Sequence, residues 1–299
     1  MKTKLKHYFH LHFIVFIWGF TAVLGKLISI DALRLVWYRM GIASLLILIF
    51  IIVRKHAIRM SRKTLFSLAL AGAALALHWV TFFMAIKVSN VSIALATMST
   101  GAFFTAILEP IWYGRKIIWY ELLFGVVVIF GLLLIFKVET QYALGMLLAL
   151  LSAFMSVIFT LINGKLVKKE KSTLISFYEL GIGVILLSIF LGIKGEFTLE
   201  FFRLSQNDWI FIFVLASFCT AYAFIAGVHV MKYISPYTVV LTVNLEPVYG
   251  ILLAFVIFGE SERMNSMFYV GALIIITTVI ANGILKNKDR LKKRNSSPG

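Results

Sequence analysis

The sequence predicts an all-α integral membrane protein of ten transmembrane helices, arranged as two inverted five-helix repeats. Three observations carry that fold class. Of the 299 residues, 61% are hydrophobic and only 14% charged, whereas soluble domains carry about 25% charged residues. Ten windows of about twenty apolar residues can be marked, each long enough to cross a hydrocarbon core of about 30 Å at about 1.5 Å per residue. Short motifs also recur in the two halves in the same order and at nearly one offset.

Taken in order, the first window is Phe9–Ile28. It follows the basic MKTKLK and has the regions of a signal peptide, but the apolar run continues past Ala22 without a convincing small-residue cleavage site, so an uncleaved first span is expected. Leu33–Val53 carries Arg39 six residues in, and Leu65–Ile86 carries His78-Trp79. Val91–Tyr113 ends near Glu109-Pro110. Ile117–Phe136 and Ala143–Ile162 are almost purely apolar. Leu174–Ile193 holds Glu179, and Trp209–Met231 holds Tyr222 and the single cysteine, Cys219, which rules out an internal disulfide and reads as a packing residue. Pro236–Phe258 contains Asn244, Glu246 and Pro247, and Met267–Leu285 completes the set. The links are short, and the longest, Lys194–Asp208, is expected to form a small cap.

Lysines and arginines in alternate loops set the orientation. With the N-terminus cytoplasmic, the cytoplasmic segments hold 21 of them and the opposite side six. The expected location is a bacterial inner membrane, multi-pass, with both termini cytoplasmic. The net charge of +16 is spread over short clusters between apolar runs, so it concerns topology and anionic lipid; no nucleic-acid partner is expected.

The repeat is read from Gly25-Lys26-Leu27 and Gly164-Lys165-Leu166, from Tyr38-Arg39 and Tyr178-Glu179, from Lys87 and Lys232, and from Gly114 and Gly259. The offset is 139 to 140 residues in the first two pairs and 145 in the others. It divides the chain into repeats at 1–137 and 138–286 with a basic cytoplasmic tail at 287–299. Because five is odd, the halves must be inserted upside down relative to each other, which places a site at mid-membrane between them.

Glu246 is the focus of that site. It lies ten residues into its window, where an ionised acid costs about 2.5–3.5 kcal/mol, and Pro247 frees the Val243 carbonyl because it clashes with it and offers no amide hydrogen. A polar, kinked point at mid-membrane reads as a lined cavity. Its expected members are Glu246, Asn244, His78 and Trp79, with Trp18, Tyr222 and Tyr249 as amphipathic companions. Arg39 divides between a structural ion pair and a substrate-anion contact. His78 is a candidate to share a proton with Glu246, and Trp79 to stack on a planar or cationic ligand. Lys26 is expected to snorkel, Glu179 to pair with a base of the Lys165–Lys171 loop, and Glu109 to contact Arg115 or Lys116. No pattern for catalysis, nucleotide binding or metal ligation is present, so no enzyme and no cofactor is expected.

With these residues on the page, the chain resembles the drug/metabolite transporter superfamily, specifically transporters with two EamA-type domains. Trp18-Gly19, Tyr38-Arg39, Ala85-Ile86-Lys87 leading into Ser92–Ser99, and above all Leu245-Glu246-Pro247 through Gly259-Glu260 carry the resemblance. It implies ten helices, cytoplasmic termini, and a central cavity to which helices three, four, eight and nine contribute, with five and ten peripheral. One departure is Gly114-Arg115, where the family's first half often has Gly-Glu. The expected function is secondary transport of small metabolites, amino acids or related compounds and drugs, outward as the resemblance implies, by alternating access, with protons as candidate coupling ions and a homodimer compatible with the chain. A membrane-embedded receptor for the same ligands is the competing class.

Overall fold

The computed structural model describes residues 2–243 and 245–295. Among these there is no strand. Eight helical segments are long and apolar enough to cross a membrane: Lys6–Leu27, Ala32–Val53, Arg62–Val88, Val91–Tyr113, Trp119–Lys137, Thr140–Leu166, Ser172–Ile193 and Gln206–Val230. They comprise α1 (Lys2–Leu27), α2 (Ala32–Val53), α3 (Arg62–Val88), α4 (Val91–Met98) with α5 (Gly101–Tyr113), α6 (Trp119–Val138), α7 (Ala143–Leu166), α8 (Ser172–Ile193), and, after the short α9 (Leu199–Phe202), α10 (Gln206–Ala216) with α11 (Ala223–Val230). Two further apolar stretches follow, α12 (Pro236–Val243) with α13 (Glu246–Phe258), and α14 (Ser266–Asn295), which continues as helix into the segment expected as a tail as far as Asn295.

Local sequence explains where the helices start. Asp31, Ser61, Asn90 and Ser205 are N-caps whose side chains accept the amide hydrogens of Arg34, Thr64, Ile93 and Asp208, meeting donors the first turn leaves free. The link before α10 does form a small cap. Arg34 donates to the carbonyls of Glu200 and Phe201 at 2.6 and 2.7 Å, Tyr38 donates to Phe201, and Trp37 packs edge-on against Phe197 and Phe201.

Two of these apolar stretches are broken rather than continuous. α4 and α5 meet at Ser99-Thr100, and α12 and α13 are separated just before Glu246. A third carries a π-helical turn, Ser217–Tyr222, between α10 and α11; such turns often mark functional sites.

Element lengths recur at the offsets seen in the sequence. α2 and α8 are both 22 residues long, starting at Ala32 and Ser172. α4 and α12 are both eight residues, starting at Val91 and Pro236, and α5 and α13 are both 13 residues, starting at Gly101 and Glu246. Glu246 therefore occupies the position of Gly101, and Glu109 is not its counterpart. The packing partners recur as well. α3 lies against α7 and α1 against α11, α4 and α5 touch α7 while α12 and α13 touch α1, and α6 packs on α14. The core thus sits where helices of one half meet helices of the other. Two glycines permit close approaches between the halves: a β-carbon at Gly19 would lie 2.8 Å from that of Tyr249, and one at Gly72 would lie 2.7 Å from the Glu179 carbonyl oxygen.

Candidate functional site

A cavity of about 100 Å³ lies at this junction, several times the roughly 10–15 Å³ that one water needs on the same measure. Its walls come from α1 (Trp18, Thr21), α2 (Arg39), α3 (His78, Trp79, Phe82), α4 (Met98), α7 (Ser156, Phe159, Thr160), α11 and the residue after it (Phe224, Gly227, Val228, Met231), α12 (Val239, Val240, Val243) and α13 (Glu246). The stretches to which the resemblance assigns the cavity (α3, α4, α11 and α12–α13) all contribute to this lining, and α1, α2 and α7 join them. The lining is mostly apolar and aromatic, and its titratable side chains are Arg39, His78 and Glu246.

Arg39 is 1% exposed. Its Nε donates to Thr220 Oγ1 at 2.6 Å, and its guanidinium lies 3.9 Å above the Trp79 ring. The π-helical turn delivers this contact, because Thr220 belongs to it and bonds the Leu215 carbonyl five residues back. One terminal nitrogen of Arg39 has no protein partner. A buried guanidinium with an unused donor is costly to leave so, and it stands ready for an anionic or carbonyl group entering the cavity.

Glu246 is the first residue of α13, so the partial positive charge of the helix start lies under its carboxylate. Pro247 occupies the first turn, where a missing amide hydrogen is no loss. α13 thus starts one residue before the proline at which a kink was expected. Glu246 takes no hydrogen bond from any described residue and closes no ion pair with Arg39, although both line the same cavity.

His78 Nδ1 lies 3.0 Å from the Ser152 carbonyl and 2.8 Å from Ser152 Oγ, and Ser152 Oγ donates back to the His78 carbonyl at 2.8 Å. The network assigns the proton to Nδ1 and leaves Nε2 as an acceptor. His78 shares the cavity with Glu246 without a hydrogen bond between them. Trp79 has its face taken by Arg39 and its edge near Phe224, so the cation it holds is the protein's own. Trp18 donates from Nε1 to the Cys219 carbonyl at 3.2 Å.

Other expected members lie elsewhere. Tyr222 points away from the cavity, is exposed, and bonds His10 at 3.0 Å through its hydroxyl. Tyr249 is drawn against α1, where it faces Gly19 and packs edge-on with Phe16. Both miss the cavity because a helical face, not proximity in sequence to Glu246 or Thr220, decides what a side chain lines. Asn244 lies outside the described residues.

Three expectations outside the cavity are settled by contacts. Lys26, expected to snorkel, pairs with Glu262 at 2.7 Å. Glu179 pairs with no loop lysine; it is fully buried and accepts from Asn163 Nδ2 at 3.1 Å, since α8 turns it toward α7. Arg115 bridges Glu109 and Glu121 at 2.7 and 2.9 Å. The sequence reading missed Thr220, Thr160 and Ser156. A Ser/Thr at mid-span opposite a buried arginine was the available signal for Thr220.

No curated protein matches the chain. A solved crystal structure, described only as that of a protein and one of 26 matching chains, aligns with a TM-score of 0.69 over 94% of this chain and 98% of its own at 12% identity, a likeness that speaks for the fold alone. The EamA-like transporter family matches residues 7–137 and 143–283. Two matched repeats, many apolar helices and a cavity walled by both halves lead to one conclusion: this chain belongs to the EamA-like transporter family, multi-pass membrane transporters of small molecules.

Proposed function

We propose that this chain is a secondary transporter that exports small metabolites, amino acids or related compounds and drugs, by alternating access at the cavity between Arg39, His78 and Glu246. In this reading α12–α13 and α14 are the ninth and tenth spans, the halves at 1–137 and 138–286 are inverted repeats, and both termini face the cytoplasm of a bacterial inner membrane. Coupling to protons runs through Glu246, the acid that faces the cavity.

One observation carries the reading: helices of both halves enclose a single cavity in which a guanidinium nitrogen and a carboxylate each remain without a protein partner among the described residues. Rocking one half against the other would expose such a site to each side in turn. Driving force is adequate without a nucleotide, since one pH unit supplies about 1.4 kcal/mol per proton and 100 mV about 2.3 kcal/mol per charge.

The test compares extracellular and intracellular metabolites in cells overproducing wild type, Glu246→Gln or Arg39→Met at equal membrane levels, followed by flux of the compound found in vesicles holding purified protein. Build-up outside with wild type alone supports export through this cavity. Equal build-up with all three keeps transport and removes both residues from it. Binding of the compound without flux in vesicles favours the receptor.

A further inference from the structure

A second polar site lies away from the cavity. Glu179 of α8, Asn163 of α7 and Ser176, one turn before Glu179, are all fully buried. Asn163 Nδ2 donates to Glu179 Oε2 at 3.1 Å. The other oxygens of the group, Glu179 Oε1, Asn163 Oδ1 and Ser176 Oγ, have no hydrogen-bond partner. Gly72 of α3 presses against the Glu179 backbone, so the group sits at a joint between the halves.

The hydrogen-bond inventory decides what is missing. An ionised carboxylate and an amide oxygen both only accept, so Glu179 Oε1 and Asn163 Oδ1 cannot satisfy each other. One proton on Oε1 turns it into a donor, with Asn163 Oδ1 as the acceptor left over in the same group. The acid and the amide then complement each other, Nδ2–H to Oε2 and O–H to an oxygen. Burial without a counter-charge argues in the same direction, since an unpaired ionised carboxylate in an apolar interior is heavily penalised.

No cation on the surrounding helices turns to it. On α3, Arg62 and Lys63 are exposed, His78 is held by Ser152, and Lys87 bonds the Ile28 carbonyl. On α2, Arg34 and Tyr38 bond the α9 carbonyls and Arg39 bonds Thr220. Lys165 of α7 donates to the Trp112 carbonyl, Tyr178 of α8 to the Ile58 carbonyl, and His229 of α11 stands in an aromatic group with His7 and Tyr233.

We propose that Glu179 and Asn163 form a proton-binding site, a neutral carboxylic acid–amide pair at the joint of α3, α7 and α8, separate from the transport cavity. The proton is the ligand, and its loss would leave a bare charge where the halves must pack. On the transport reading above, proton occupancy here governs how the halves close on each other, but the site itself does not depend on that reading.

Infrared spectroscopy tests it directly. Wild type, Glu179→Gln and Asn163→Leu are purified in a Glu246→Gln background, which removes the cavity acid, and reconstituted in lipid at pH 7. Glu179→Gln keeps the paired geometry as an amide–amide contact. The expected result is a protonated-carboxyl C=O band that shifts in D₂O, is lost in Glu179→Gln, and moves to higher frequency in Asn163→Leu as its hydrogen bonds weaken. If Glu179→Gln is not recovered folded, the Asn163→Leu shift decides alone. Loss of a pair of carboxylate stretches instead of the C=O band, or no shift in Asn163→Leu, overturns the proposal. Carboxylate bands that respond to replacing sodium with choline overturn it in favour of a metal cation.

Discussion

The Lys26 ammonium lies 2.7 Å from Glu262 Oε1, and the same fully buried carboxylate accepts the backbone amides of Val91 and Ser92 at 3.1 and 2.9 Å and the Ser92 hydroxyl at 2.8 Å. One acid thus ties the end of α1, the start of α4 and the turn after α13. Its value lies more in the amides than in the ion pair, because Lys26 keeps 27% of its side-chain exposure and water screens it. Glu262→Ala should therefore destabilise by about 2–3 kcal/mol, leaving buried donors unmet, and Lys26→Met by less than about 1 kcal/mol. Unfolding midpoints of the purified variants in one detergent check the order; equal losses would make the ion pair the main term.

Thr220 holds Arg39 from outside the cavity lining. Thr220→Val removes the acceptor of the 2.6 Å bond and keeps the shape. Arg39→Met removes the charge itself. If a solute uses the free guanidinium nitrogen, losing a charge-assisted hydrogen bond of about 1.5–3 kcal/mol weakens apparent affinity roughly 10- to 150-fold in Arg39→Met, and Thr220→Val should fall between it and wild type. Concentration-dependent flux in vesicles measures both.

Gly72 and Gly183 both sit in the α3–α8 region but against different neighbours. A β-carbon at Gly72 meets the Glu179 backbone at 2.7 and 3.2 Å, whereas one at Gly183 meets the far end of Met40. Backbone cannot move aside and a methionine terminus can. Gly72→Ala should cost about 1–3 kcal/mol and Gly183→Ala less than about 1 kcal/mol, read as the shift in thermal midpoint.

Gly114 and Gly259 end α5 and α13 at matching positions, with nothing within 4 Å of a β-carbon at either. Any cost of alanine there is purely conformational. Gly114 has φ 67° and ψ 29°, a left-handed conformation that costs an L-residue about 1–2 kcal/mol. Gly259 has φ 56° and ψ −127°, outside the regions open to other residues. Gly259→Ala should lower the thermal midpoint further than Gly114→Ala; a reversed order would mean the turn after α13 relaxes.

Much of the cavity lining was legible because the membrane makes polarity conspicuous. Arg39, His78 and Glu246 stood out in apolar windows, and all three line the cavity. Tyr222 and Tyr249 were misplaced for the same reason that Thr220 was missed. Aromatic and hydroxyl side chains are unremarkable in a span, and nothing in one helix tells which face meets a neighbour.

Apolar length and motif spacing were enough to determine the helical class, the approximate bounds of eight spans and the correspondence of Glu246 with Gly101, since each depends only on distance along the chain. Which polar groups meet across the two halves was decided by tertiary structure alone. Lys26 reaches Glu262 across 236 positions and Arg39 reaches Thr220 across 181. Such pairs depend on how helices of opposite halves rotate and approach, and that is set by the packing of small residues such as Gly19 and Gly72, whose sequence signal is only the absence of a side chain.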